Sequence, residues 1–384
     1  RHSSSAASDV YKRQPNTACS LLWSHARLKV DGTVLPCCFV EENNIPNLHE
    51  APKLSNGLNN AFNSKFFDDI RNEMLKGKKL SMCDKCWKAE DNGIESFREQ
   101  YNHYNKFIGQ EPKIRYIETA LSTHCNLSCR MCNDTFSSKW KLIKNPGMSV
   151  DVSVDSFDLE YYDTDLSKLD FVKFVGGEPL IDKKHANFLK QIISKSDDPS
   201  NVKLFYNTNG TIIPKQEIFD AWSKLKEVEV TFSIDAIGEA NEILRPPHKW
   251  DTIQSAINHF TEHKSDNMTL GMHTVINVFN IHLLKDIVEF SYGHFGKMPY
   301  FDILDYPEHM SLKNLESSLK IKLSNVLKHA FEGQEELQFL LEFINQPTKY
   351  SYTLDQIIDK EKENDIKVNT LIEKLGTREI WNSF

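Results

Sequence analysis

The chain has 384 residues, 40% hydrophobic and 26% charged, with a formal net charge of −8. That balance suits a globular chain with a sizeable core, and the length allows two or three domains or one large barrel with additions. It weighs against a broad nucleic-acid footprint, which needs clustered Lys and Arg, and no apolar run is long enough to predict a transmembrane helix.

Residues 1–14, RHSSSAASDVYKRQ, are polar and lack an apolar stretch, so they read as a non-native or disordered leader rather than a signal peptide. SLLWSHARLKVDGTVLPCCF follows shortly after and predicts a short hairpin turning at Asp31-Gly32. FNSKFFDDIRNEMLKGKKL has helical periodicity, with Phe66, Ile70, Met74 and Leu75 near one face and Gly77 as a stop. Trp23 and His25 are expected to pack. From about 113 to 309 the pattern changes. The β-rich runs KIRYIETALS, DFVKFVG, VKLFYNTNG, VEVTFSIDA, MTLGMHTVIN and YFDILDY alternate with helix-like segments. Six strand–helix units predict a parallel sheet with right-handed crossovers, either a partial (β/α)6 barrel or an open doubly wound sheet. In both, the loops at the strand C-termini carry the chemistry. Residues 310–384 are charged and helical in character.

All eight cysteines lie in the first 132 residues, at 19, 37, 38, 83, 86, 125, 129 and 132. Short paired spacings without a secretory signal favour a metal or cluster role over disulfides, and a reducing cytoplasmic location. CNLSCRMC, residues 125–132, follows directly on the first of the six strands. Cys125, Cys129 and Cys132 supply three thiolates where a closed site wants four, so one coordination position is left for a ligand that is not protein. The alternative is a zinc site completed by His124. FVGGEPL ends the second strand: two glycines permit close approach of a ligand, and Pro179 fixes the following turn. Strand three ends in NTNGT and strand four in SIDA. Ser233 and Asp235 alternate with Ile234 and are expected on one side of that strand, suited to a ribose or carboxylate, with Arg245 able to pair with a carboxylate. His273 and Asn277 on strand five are weaker candidates.

The three-cysteine motif after a first barrel strand resembles the radical S-adenosylmethionine (SAM) superfamily. The resemblance implies a [4Fe–4S] cluster on Cys125, Cys129 and Cys132 whose open iron is chelated by SAM. It also implies SAM contacts from Gly176, Gly177, Glu178 and Pro179, from the strand ends at Asn207, Asn209, Ser233 and Asp235, and from Arg245. Met131, where the family often has an aromatic residue, would cover the adenine side. The N-terminal set, with Cys19 and Cys37 brought together by the hairpin and Cys83 and Cys86 as a chelating pair, resembles the opening of SPASM and twitch auxiliary-cluster domains. That implies a second [4Fe–4S] cluster, with zinc as the lesser alternative and Cys38 able to replace Cys37.

The expected organisation is therefore an auxiliary-cluster domain at 15–105, a radical SAM partial barrel at 106–309 and a helical C-terminal extension at 310–384. The implied activity is reductive SAM cleavage to a 5′-deoxyadenosyl radical that oxidises a substrate, with flavodoxin or ferredoxin as electron donor. A peptide or protein side chain is the first expectation for the substrate. Dehydrogenation of a sugar or aminocyclitol alcohol is the alternative, and a non-catalytic zinc-binding interaction module is the reading from another class.

Overall fold

The computed structural model describes residues 16–147, 164–330 and 338–364. The leader expected at 1–14 and the last part of the C-terminal extension lie outside them.

One sheet organises the chain. Its strands are β1 (His25–Leu28), β2 (Val34–Leu35), β3 (Tyr116–Ala120), β4 (Phe171–Val175), β5 (Lys203–Thr208), β6 (Glu227–Ser233), β7 (Met268–Ile276) and β8 (Tyr300–Ile303), in the order β2-β1-β3-β4-β5-β6-β7-β8. Every neighbouring pair is parallel except β1 and β2. The six expected core strands are β3 to β8, and β8 does not return to close the sheet, so the fold is a partial barrel. The expected hairpin is β1–β2, with the Thr33 N–H donating to Oδ1 of Asp31 across the turn. Unforeseen is the parallel pairing of β1 with β3, which makes the cysteine-bearing N-terminal region continuous with the barrel sheet.

Helices follow the strands as right-handed crossovers require. We label those used below α1 (Lys65–Leu75), α2 (Asp84–Asp91), α3 (Ser138–Lys144), α4 (His185–Lys195), α5 (Gln216–Trp222), α6 (Glu239–Leu244), α7 (Trp250–His263), α8 (Leu284–Phe295), α9 (Ser317–Ala330), α10 (Gln338–Ile344) and α11 (Leu354–Asn364). In α1 the buried positions are Phe67, Ile70, Arg71 and Met74, whereas Leu75 is 38% exposed. The apolar face is therefore rotated from the expected Phe66–Leu75 line, and Phe67 lies deeper than Phe66 because 67, 70, 71 and 74 share one helical stripe.

Strand alternation separates two faces. Val172, Phe174, Leu204, Tyr206, Val228, Val230 and Phe232 form the main core with α4, α5 and α7. The inner face is polar. Arg27, Glu118, Lys173, Phe205 and Glu229 stand in one register row across five strands. Glu118 lies 3.8 Å from Arg27 and 3.9 Å from Lys173, and Glu229 lies 2.8 Å from Lys297. A second apolar cluster joins β7 to the C-terminal extension through Ile276, Leu312, Leu323, Leu340, Ile357 and Ile358. A third gathers the N-terminal region around Leu22, Trp23 and Trp87. Trp23 and His25 are both buried, as expected of packing residues.

Candidate functional site

The loop Cys125–Cys132 has no regular secondary structure, so its shape depends on its contacts. The Cys125 N–H donates to Oγ of Ser138 (3.1 Å), the Ser128 N–H to the Pro246 carbonyl (2.7 Å) and the Arg130 N–H to the Leu244 carbonyl (2.9 Å). Nε1 of Trp140, on α3, donates to the Cys129 carbonyl at 2.9 Å. Ser138 and Trp140 belong to the helix that directly follows the loop, whereas Leu244 and Pro246 lie more than a hundred residues away. The loop emerges at the C-terminal edge of the sheet, where parallel α/β folds bind ligands.

Two donors reach the thiols. Nη1 of Arg245 lies 3.7 Å from Sγ of Cys129, and Nδ2 of Asn209 lies 3.9 Å from Sγ of Cys125. Burial pushes all three thiols up, Cys129 to about 12 and Cys132 to about 11, while the Arg245 charge acts in the opposite direction. A bound metal is what deprotonates such thiols. Arg245 is in turn held by Asp235, whose Oδ2 accepts from Nε at 2.6 Å.

The GGEP turn is stitched to the same loop. The Gly177 N–H donates to the Ser122 carbonyl (3.1 Å) and the Glu178 N–H to the His124 carbonyl (2.7 Å). Gly176 has φ +100°, and a Cβ there would lie 2.8 Å from Cβ of Ala120. Pro179 opens the short 3-10 turn Pro179–Ile181. The buried Glu178 carboxylate accepts from the N–H groups of Leu180 (3.1 Å) and Asn209 (2.6 Å) and from Oγ1 of Thr208 (2.9 Å). Burial still raises its pKa to about 7 against these bonds. Nδ2 of Asn209 donates to Oδ1 of Asn126 at 2.9 Å, tying the end of β5 to the residue after Cys125.

Several expected residues sit differently. Asp235 is wholly buried, and its Oδ1 accepts from the Val275 N–H at 2.8 Å. It is the counter-ion of Arg245, and both of its oxygens are engaged within the protein. Arg245 is correspondingly aimed at Cys129 with its Nε already engaged. Asn207 stands apart, accepting from Oγ1 of Thr231. Ser233 is half-buried at the end of β6, in register with His273, whose Nε2 lies 2.9 Å from Oδ2 of Asp302. Asn277 is fully buried and caps the turn after β7. Met131 leans on the apolar cluster of the C-terminal extension. Thr208, Asn126 and Trp140 were not anticipated. Asn126 adjoins a motif cysteine and Thr208 lies within the NTNGT strand end, so both could have been suspected, whereas Trp140 has no sequence signal.

The second set also converges. Cys19, Cys37, Cys83 and Cys86 line one cavity with Phe39, Phe97 and Arg98. Cys38 does not line it, which favours Cys37 as the fourth thiol. Burial raises Cys19 to about 11 and Cys83 further. Arg98, paired with both carboxylate oxygens of Glu90 at 2.6 Å, brings a positive charge beside Cys19. Cys19 just precedes β1 and Cys37 just follows its antiparallel partner β2, so this set lies at the end of the sheet opposite the Cys125 loop.

Among the described residues, no three His, Cys, Asp or Glu side chains converge on one point as ligands of a single ion do. Thiolates spread around the corners of a cubane are held further apart than that. With hydrogen-bond donors on two thiols and a glycine turn packed against the loop, the residues fit an anionic iron–sulfur cluster and a ligand at its open corner.

Comparison with known proteins agrees with this geometry. Residues 119–291 match the radical SAM superfamily, and residues 19–87 match an iron–sulfur cluster-binding domain, SPASM. An uncharacterized protein of Methanocaldococcus jannaschii is 27% identical over 54% of this chain and 70% of its own length. The radical SAM cyclopropyl synthase TigE of Paramaledivibacter caminithermalis is 23% identical over 53% of this chain. This chain spans 44% of that relative's length. Among solved structures, AdoMet-bound anSMEcpe is 18% identical with a TM-score of 0.40, covering 58% of this chain and 59% of its own. Streptococcus suis SuiB bound to its precursor peptide SuiA is 13% identical with a TM-score of 0.36, covering 80% and 57%.

Proposed function

The chain is a radical SAM protein with an auxiliary-cluster domain, and we propose that it oxidises a peptide or protein side chain after hydrogen abstraction. In this reading Cys125, Cys129 and Cys132 hold the SAM-binding [4Fe–4S] cluster, and Cys19, Cys37, Cys83 and Cys86 hold an auxiliary one.

The observation that carries the reading is the placement of two thiol sets at opposite ends of the neighbouring parallel strands β1 and β3. A five-residue strand such as β3 rises only ~17 Å, so a substrate over the inner face reaches toward both ends. When bound, the first cluster and SAM would supply a 5′-deoxyadenosyl radical for hydrogen abstraction, and a second cluster held by Cys19, Cys37, Cys83 and Cys86 would offer an electron acceptor.

The chain's own residues orient and exclude. Gly176 and Gly177 let the GGEP turn pack directly against the end of β3 and the cysteine loop, and Glu178 braces the end of β5 against that loop. Arg245 sets a positive charge on the thiol side, with Asp235 fixing its direction. Asn209 donates toward Cys125. The inner-face row of Arg27, Glu118, Lys173 and Glu229 offers ionic and hydrogen-bond partners to a polar main chain, which favours a peptide. The electron enters from a flavodoxin- or ferredoxin-type donor.

The test is anaerobic incubation with dithionite and SAM, in parallel with deuterated peptide and deuterated sugar fractions. The expected result is 5′-deoxyadenosine carrying deuterium from the peptide fraction, and none with the Cys125/Cys129/Cys132 triple Ala variant. Deuterium from the sugar fraction alone would replace the peptide reading, and no deoxyadenosine at all would remove the activity.

A further inference from the structure

Arg130 lies inside the cysteine loop, between Cys129 and Met131, and points away from the thiols. Its Nε donates to the Ile243 carbonyl at 3.0 Å, just before the end of α6. Nη1 is 3.5 Å from Oε2 of Glu361, on α11, and Oε1 of the same carboxylate is 2.6 Å from Nε2 of His309. The side chains of Arg130, Glu361 and His309 are only 10%, 5% and 9% exposed. A carboxylate so far from water persists only when its partners are built around it. The next residue, Met131, packs on the apolar cluster to which α11 contributes Ile357 and Ile358. The C-terminal extension thus grips the loop at two successive residues, one by charge and one by packing.

We propose that α11 is a positioning element of the SAM-cluster site and that Glu361 is the residue through which it acts. By fixing Arg130, its carboxylate sets the path of the peptide between Cys129 and Cys132 and so the spacing of the thiols. The loop has no secondary structure to hold that path by itself. The inference rests on Cys125, Cys129 and Cys132 being the cluster ligands.

The experiment uses the full chain, reconstituted anaerobically, as parent, Glu361→Gln, Glu361→Asp, Arg130→Gln and the Glu361→Gln/Arg130→Gln double variant. Iron release to a chelator and the electron paramagnetic resonance change on adding SAM are read for each. Outer-shell partners of metal sites are worth about 10- to 100-fold in affinity. Glu361→Gln is therefore expected to release SAM-site iron about tenfold faster and to blunt the SAM-induced spectral change, with the auxiliary iron retained. Glu361→Asp should recover part of the loss, and the double variant should be no worse than either single one, as for residues acting as a pair. Parent-like release and spectra in Glu361→Gln would overturn the proposal. So would equal iron loss from both sites, which signals lost folding, or additive losses in the double variant. A parent whose iron is unchanged by replacing Cys125 would remove the cluster reading, and this inference with it.

Discussion

Gly177 stands so close to His124 that a Cβ built on it would lie 2.2 Å from the His124 carbonyl oxygen. The next nearest atoms are the carbonyl carbons of His124 and Thr123, both at 2.8 Å, so everything in the way is backbone. The GGEP turn and the cysteine loop are therefore pressed together main chain to main chain. Gly177→Ala must push them apart and break the bond from the Glu178 N–H to the His124 carbonyl. Overpacking of this kind destabilises by about 1–3 kcal/mol. The expected phenotype is a SAM affinity reduced by at least tenfold, as for lost outer-shell support, with the auxiliary cluster still loaded. Calorimetric titration with SAM checks it, and parent-like affinity would contradict it.

Asp235 and Arg245 form a buried pair, 0% and 9% exposed at their side chains. Asp235→Ala leaves the guanidinium without its counter-ion beside Cys129. Removing one member of such a pair destabilises by about 3–5 kcal/mol. Asp235→Asn keeps the side-chain shape and one carbonyl acceptor, for either the Arg245 or the Val275 donor, and should lose less. Denaturant titration of the two variants under anaerobic conditions measures the difference, and equal losses would show that the retained amide contributes nothing beyond the lost charge.

How much of this could be read in the sequence depends on how local each signal was. Cys125, Cys129 and Cys132 fall within eight residues, and Gly176 to Pro179 within four, so each group could be read as a local pattern. The Asp31-Gly32 hairpin was legible for the same reason. The six core strands were visible as runs, although their shared polar row was not, because it arises from register between strands far apart in sequence. The pairing of β1 with β3 was hidden behind the long crossover between them. The partners of Asp235 were not legible, because Arg245 and Val275 reach it from ten and forty residues away. Arg130 and Glu361 could not be linked in advance: only the docking of the last helix brings them together.

Cys37 and Cys38 are adjacent, and only Cys37 lines the cavity with Cys19, Cys83 and Cys86. Cys37→Ala should therefore lose the auxiliary cluster, about four irons per chain, while Cys38→Ala keeps it. Iron and sulfide analysis of the two variants decides between them, and the opposite pattern would exchange their roles.

His185 is buried, with Nε2 2.9 Å from the Tyr206 hydroxyl, and burial lowers its pKa from 6.5 to about 4. Its folded pKa lies below its unfolded one, so its neutral form stabilises the fold above pH 6.5 and that contribution is lost as pH falls toward 4. Between pH 7 and pH 5 the parent should lose roughly 2 kcal/mol more stability than His185→Gln. Parallel denaturation curves at the two pH values test this, and identical pH slopes would contradict it.

The measurement closest to the central claim is an anaerobic iron and sulfide count on the parent beside the Cys125/Cys129/Cys132 and Cys83/Cys86 Ala variants. Two cubanes at opposite ends of the sheet predict about eight irons and eight sulfides in the parent and about four of each in either variant. SAM cleavage should be lost in the first variant, whereas the second keeps uncoupled cleavage and loses product formation. If both variants lose the same iron, the thiols form one site and the two-cluster account is wrong.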